Sequence, residues 1–413
     1  MSNRPTAARP GPRRGGGAGQ PPILAPALAT AGLIIATILT IGLFTGNLPF
    51  LAGTGAGGDG GPGGPGAAVT PAPSDVVIAQ PEKEIPGTFL YVKQGSIWIQ
   101  KGKETRRLTT SGKDSMPSWA PDGEWVYFIR TEKGRGLFPS QGRAVYYTMH
   151  YPNLMRIASD GSGEPERLHS GRYKTGSYTW FYWLRQPVLG PDLRTIALVS
   201  DAPDPTESDV VLQTFDLETS ELVSLGLKED PPLGHQDPAW RHDGKILLYV
   251  RNGRDGTRGA PVIWRYFPES GKTTTLTGPG YLSPAWSPTG RYVAATKTSS
   301  IGTDVVILNA KDGTEVLRVT RDGASWSPVW SPAGDAIAFL RMTGGIVDLK
   351  LVELEGSEGA WSAGETIDLT TVSGLDGGSR PGWFIPPDQI PRPTPGPTQT
   401  TAPSTAPPES PAG

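Results

Sequence analysis

The sequence predicts an all-β protein, a six-bladed β-propeller with C-terminal strand closure, preceded by one transmembrane helix. Three observations carry this reading. A Pro-x-Trp motif with a tight turn behind it recurs along the chain, short β patterns fill each interval between copies, and one long apolar stretch stands near the N-terminus. A period of about 40 to 50 residues built of short strands is the signature of a propeller or an array.

The motif is clearest at Pro284-Ala285-Trp286-Ser287-Pro288-Thr289-Gly290. It returns at Pro117-Ser118-Trp119-Ala120-Pro121-Asp122-Gly123, at Pro238-Ala239-Trp240-Arg241-His242-Asp243-Gly244 and at Pro328-Val329-Trp330-Ser331-Pro332-Ala333-Gly334. Two weaker copies complete the set: Pro187 to Asp192, with Leu189 in the Trp place, and Pro381-Gly382-Trp383, which lacks the turn. Proline presets φ in the turn, Asp tolerates the next position, and Gly takes the αL end without steric cost. The turn thereby sets the register of the first two strands of each unit. Trp offers a large apolar face at one height in every unit, where a neighbouring sheet can cover it.

Downstream of each turn a β-branched or aromatic run follows, as at Ile196 to Val199, Tyr292 to Ala295 and Ala336 to Leu340. A second run and a short third one ending in Leu or Val come next, so each unit has four strands. Three strands without a leading motif (Phe89 to Val92, Ile97 to Gln100, Arg106 to Thr109) precede the first full unit, and one motif strand without followers (Arg380 to Ile385) ends the region. The two fragments add up to one blade. Residues 88–386 are therefore expected to close as a ring, which removes exposed sheet edges.

With these motifs in view, the Pro-x-Trp-Ser-Pro-Asp-Gly repeat resembles that of the TolB-type six-bladed propellers, a repeat also found in prolyl oligopeptidase-like and dipeptidyl peptidase-like proteins. The resemblance covers roughly residues 88 to 386. It implies the fold; for function it points to several classes, because propellers host binding modules, lyases, cyclases and peptidase gating domains. The full TolB role would imply an envelope lipoprotein partner in a trans-envelope complex. In place of the α/β domain of TolB proteins, this chain has a Gly-rich tether and an apolar stretch.

That apolar stretch, residues 23–51, contains no ionisable residue, and its centre from Ala27 to Phe44 is broken only by glycine and threonines. It meets the roughly 20 residues that a bilayer requires and exceeds the apolar core of about 7 to 15 residues usual in a cleaved signal peptide. Arg4, Arg9, Arg13 and Arg14 precede it, whereas the first Lys or Arg beyond it is Lys83. The positive-inside rule then leaves the N-terminus in the cytoplasm and puts the propeller outside, on a cell-membrane anchor. Residues 1–22 are expected to be disordered, 52–87 to form a Gly/Pro-rich linker with a reach on the order of 30 Å, and 387–413 to form an extended Pro/Thr-rich tail.

Composition narrows the function classes. A net charge of −2 supplies no basic field for a phosphate backbone, so no nucleic-acid partner is expected. The absence of cysteine excludes disulfides, thiol nucleophiles and thiolate metal sites. No Gly-x-Ser-x-Gly elbow occurs, and no region remains for a hydrolase domain. His150, His169 and His235 come from three segments with no mutual spacing, and the acidic run Ser200 to Asp209 lacks a calcium-loop pattern. Neither a metal nor a cofactor is expected.

Binding residues are sought on the face where the insertions fall. The longest insertion, Thr131 to Leu154, carries Phe138, Tyr146, Tyr147, His150 and Tyr151, and the crossing Ser170 to Arg185 carries Tyr173, Tyr178, Trp180, Phe181, Tyr182 and Trp183. Tyr146, Tyr147, His150, Tyr151, Trp180, Tyr182 and Trp183 are the candidate binding set for a protein or cell-wall glycan partner. The competing reading makes residues 180–183 a lengthened first strand that buries alternate aromatics. An enzyme, a lyase or glycan hydrolase, is the alternative function; it would require His, Asp and Glu converging on the wall of the central funnel.

Overall fold

The computed structural model describes residues 75, 76, 78, 79, 84–203, 210–227, 234–252 and 260–390. The expected disordered N-terminus, the apolar stretch 23–51, most of the linker, most of the tail and Asp204 to Asp209 lie outside the described residues. Among the described residues there is no α-helix, only one 3-10 turn at Pro387–Gln389, and no helix long and apolar enough to cross a membrane.

Six four-stranded antiparallel sheets form the blades. Blade 1 is β1 (Thr88–Lys93), β2 (Ser96–Lys101) and β3 (Glu104–Arg107), completed on its inner edge by β26 (Gly382–Phe384). Blade 2 is β4 (Asp114–Trp119), β5 (Trp125–Ser140), β6 (Arg143–Ala158) and β7 (Glu166–Ser170). A separate hairpin, β8 (Arg172–Thr175) and β9 (Tyr178–Phe181), fills the crossing to blade 3. Blade 3 is β10 (Arg185–Leu189), β11 (Thr195–Ser200), β12 (Val211–Asp216) and β13 (Leu222–Ser224). Blade 4 is β14 (His235–Trp240), β15 (Leu247–Arg251), β16 (Val262–Phe267) and β17 (Lys272–Thr275). Blade 5 is β18 (Tyr281–Trp286), β19 (Tyr292–Ser299), β20 (Gly302–Asn309) and β21 (Glu315–Arg318). Blade 6 is β22 (Ser325–Trp330), β23 (Ala336–Thr343), β24 (Ile346–Ser357) and β25 (Ala360–Asp368).

Closure follows the sequence reading. Phe89 pairs with Trp383 across the β1–β26 ladder, and their rings lie 4.7 Å apart. The inner strands β26, β4, β10, β14, β18 and β22 touch in that order around an axial channel.

The middle strands are apolar on both sides because each sheet is packed on both faces. On β5, Tyr127 and Ile129 enter the core between blades 2 and 3, whereas Val126 and Phe128 enter the core between blades 1 and 2. Among the described residues there are six such cores, one at each blade interface. Two of the motif tryptophans add polar stitches: Trp330 Nε1 donates to Ala285 O at 3.1 Å and Trp286 Nε1 to Ala239 O at 3.0 Å, each reaching back one blade.

The Leu/Val ends of the outer strands serve a related purpose. The threonine that follows each of four of them accepts the backbone N–H of its own blade's third strand: Thr109 from Ile97, Thr277 from Ile263, Thr320 from Val305 and Thr370 from Leu349, at 2.9 to 3.1 Å. Blade 3 has Gly226 in that place, and His235 Nδ1 accepts from Leu212 N instead at 3.0 Å.

Two expectations need correction. Thr131 to Leu154 is not a loop: β5 and β6 run on past the blade as a two-stranded ribbon, paired from Trp125↔Ala158 to Ser140↔Arg143 and turned at Gln141-Gly142. Residues 178–181 are not an extension of the first strand of blade 3, since they belong to the separate β8–β9 hairpin.

Candidate functional site: the channel mouth and its ribbon

Every full inner strand carries a β-bulge at the motif proline. The residue before that proline has φ near +50° in all five: Met116, Gln186, Asp237, Ser283 and Ser327. Proline cannot donate to a ladder, and here it sits at a bulge on the strand that forms the channel-side edge of its sheet. The αL residue costs about 1 kcal/mol. In return its N–H is turned toward the preceding blade, where side chains receive it: Met116 N on Ser379 Oγ, Asp237 N on Gln186 Oε1, Ser283 N on Asp237 Oδ2 and Ser327 N on Thr296 Oγ1, at 2.9 to 3.0 Å.

The same column holds the charge of the channel. Arg380, the equivalent residue before Pro381, lies on the chain leading into β26 of blade 1, yet it donates to Pro284 O of blade 5 at 3.0 Å and stands 3.8 Å from Asp237 of blade 4. Blades 1 and 4 face each other across the ring, so the Arg380 side chain crosses the channel. About a quarter of its surface still meets solvent, although protein surrounds it.

Asp237 is bonded to Gln186 Nε2 at 2.6 Å and to Ser283 Oγ at 3.1 Å. Burial pushes the Arg380 and Arg185 guanidinium groups below their ordinary pKa, and in each case the Asp237 carboxylate opposes that shift. The funnel wall is therefore mixed, with two guanidinium groups set about one carboxylate. These strands enter the ring on the face that bears the insertions.

The ribbon rises beside this mouth. Its alternation splits the candidate aromatics between two faces. Tyr146 is 62% exposed and His150 is exposed, while Tyr147, Met149 and Tyr151 turn to the β8–β9 side. Tyr147 OH donates to Thr179 O at 2.8 Å, and Phe138 packs edge-on against both Tyr147 and Trp180, at 5.5 and 4.9 Å. Tyr151 is buried, its hydroxyl on Glu132 Oε2 at 3.0 Å; burial and that carboxylate raise its pKa, and burial raises that of Tyr147. Tyr182 sits in the core between blades 2 and 3, 2.5 Å from His169 Nε2, and burial pushes its phenol up to about 12. Trp183 is half-buried in the crossing, its backbone N–H on Asp201 Oδ1 at 2.6 Å, with Phe181 edge-on against its ring. The structure thus brings Tyr147 and Trp180 together, leaves Tyr146 and His150 facing outward, and buries Tyr151 and Tyr182.

The histidines remain apart. His169 and His235 are internal and both are depressed by burial, His235 to about 3 with help from Arg251; His242 lies exposed in the motif turn of blade 4. Among the described residues no three His, Asp or Glu side chains converge as a metal-ligand set. A further cavity of about 680 Å³ opens between blades 1 and 2, with Trp119, Phe384, Lys101 and Arg106 in its lining.

Sequence reasoning missed Arg185, Gln186, Asp237 and Arg380. Aligning the motif copies one or two positions upstream of the proline would have found them, because that column changes from Met to Gln, Asp, Ser, Ser and Arg while the motif itself stays constant.

This architecture defines the class: a closed six-bladed propeller with a mixed-charge channel. Among solved structures, TolB from Acinetobacter baumannii superposes with TM-score 0.52 at 18% identity, covering 73% of this chain and 68% of that one. A TolB homologue from Agrobacterium tumefaciens gives TM-score 0.50 at 16% identity, covering 74% and 95%. A chain of the nidogen/laminin complex gives TM-score 0.50 at 12% identity, covering 73% and 99%. The fold is thus that of the TolB-type six-bladed propellers. In sequence, 160 residues are 26% identical to an uncharacterized protein of Agrobacterium fabrum; the match takes in 38% of this chain and 46% of the relative, so the chain spans about half the length of the relative it matches. No protein-family model matches the chain.

Proposed function

We propose that the chain is a binding module anchored in the cell membrane by residues 23–51, with its propeller outside the cytoplasm and its insertion face turned to a protein or cell-envelope partner. The observation that carries this reading is the placement of the channel mouth and the ribbon on one face of a rigid ring. Exposed apolar side chains close to a hairpin tip on a rigid frame suit recognition, since little order has to be gained on binding. Val145 and Tyr146, close to the ribbon tip, are 47% and 62% exposed. The mixed wall supports binding over the lyase or glycan hydrolase alternative, because Asp237 is already occupied by Gln186 and Ser283. The TolB-like fold is compatible with a protein partner, and the apolar stretch with its four preceding arginines supports the anchor.

The test is capture of partners from envelope extracts by the full chain. Val145→Ser with Tyr146→Ser should lower capture at least tenfold, while Glu269→Ala on the opposite face leaves it unchanged. Loss with the second variant alone overturns the face assignment. For the anchor, protease added to intact spheroplasts should digest the propeller; a protected propeller contradicts it.

A further inference from the structure

Resting on that reading, we propose that the channel mouth is a receptor for a single carboxylate, and that the partner delivers it as an acidic side chain or a chain terminus. The mouth presents Arg185 and Arg380 against one carboxylate, Asp237. Asp237 spends its oxygens on Gln186 Nε2, on the Ser283 hydroxyl and on the Ser283 N–H. Arg380 stands 3.8 Å from it, beyond hydrogen-bond length. Among the described residues nothing accepts from Arg380 Nη2, and the Arg185 guanidinium lies within the field of the Asp237 carboxylate. A guanidinium in such surroundings is costly unless paired, and its planar fork matches a carboxylate in bidentate fashion.

Charge selects the class of ligand. Two guanidinium groups and one carboxylate leave a single positive charge, which one further carboxylate brings to zero. A phosphate, carrying about −1.5 to −2 near neutrality, overshoots. A neutral amide of the same shape fills the space and leaves the charge standing. Position agrees with this selection: the two arginines stand at the end of the channel that opens onto the insertion face, so a group offered by a partner seated there meets them first.

The experiment uses the full chain in mild detergent and three probes: acetyl-glutamate amide, its neutral isostere acetyl-glutamine amide, and inorganic phosphate. Binding is read by titration calorimetry, and near-UV circular dichroism checks the fold of each variant. The glutamate probe should bind at least tenfold more tightly than the glutamine probe, and phosphate no more tightly than glutamate. Arg185→Gln should weaken the glutamate probe at least tenfold, with Arg185→Lys falling between. Asp237→Asn should tighten it severalfold, since removing the internal carboxylate raises the uncompensated charge. A role confined to packing would give no tightening. Equal binding of the glutamate and glutamine probes, no binding of either, or weaker binding in Asp237→Asn overturns the proposal. If Arg185→Gln still captures partner while the ribbon variant does not, the carboxylate receptor falls and the insertion-face reading stands.

Discussion

His235 makes the stability of this ring depend on acid in a calculable way. It is 5% exposed, its Nδ1 accepts the Leu212 N–H, and its ring lies 4.7 Å from that of Tyr249. Burial and the nearby Arg251 hold its pKa at about 3 against 6.5 for a free imidazole. The folded state therefore wants the neutral ring. The stability it contributes is complete above pH 6.5 and drains away as pH falls toward 3, at about 1.4 kcal/mol per unit. Between pH 7 and pH 5 the loss is about 2 kcal/mol, and it hardly depends on the folded-state value so long as that stays below about 4.

His235→Asn keeps an acceptor near the Nδ1 position and removes the titration. Urea midpoints followed by tryptophan fluorescence at pH 7, 6 and 5 should show the wild type losing about 2 kcal/mol more than the variant across that range. His169, also depressed by burial, leaves a residual slope of the same sign in both proteins. Only the difference in slope is diagnostic, because the smaller side chain lowers stability at every pH. Parallel pH profiles would refute the reasoning.

Two further predictions concern the motif turns. A Cβ at Gly123, where φ is +77°, would run into the Phe384 ring of the closing strand, whereas one at Gly244 would meet only Pro191 Cγ at 3.3 Å. Gly123→Ala should therefore cost about 2 to 4 kcal/mol and Gly244→Ala about 1 to 2 by chemical denaturation; equal costs would contradict the clasp geometry. Blade 3 has Leu193 at φ +55° where the other turns have Gly, and it is 46% exposed. Leu193→Gly should leave stability unchanged or raise it by up to about 1 kcal/mol, and a loss above 1 kcal/mol would show that this side chain does more than strain the turn.

The ring was legible in the sequence because its signals are local and repeated. Pro, Asp and Gly at fixed offsets specify the turn, and the unmatched strands at the two ends, Phe89 and Trp383 among them, could only complete each other. The ribbon was not legible: its outer half, Thr131 to Thr148, mixes Lys, Arg, Gly and aromatics, and what keeps it paired is the β8–β9 hairpin packed on Phe138 and Tyr147, a contact between segments more than 30 residues apart. The aromatic candidates form one cluster in the sequence, yet alternation along β6 sends Tyr146 outward and Tyr147 inward, and register alone decides which. The channel charges stayed hidden for a different reason. They lie in or next to the column in which the repeats differ, whereas repeats are recognised by the columns in which they agree.

Closure of the ring by β26 underlies every statement about its faces and its channel, and engineered cysteines test it directly because the chain has none of its own. Thr88 and Phe384 are paired across the β1–β26 ladder, and Thr88 and Lys101 across β1–β2. Facing positions of an antiparallel pair lie within disulfide reach. Thr88→Cys with Phe384→Cys should oxidise as completely as the control, Thr88→Cys with Lys101→Cys. Cross-linking about 300 residues, it should also raise stability by about 2 to 5 kcal/mol over its own reduced form. A control that oxidises while the 88/384 pair stays reduced would contradict the closed ring.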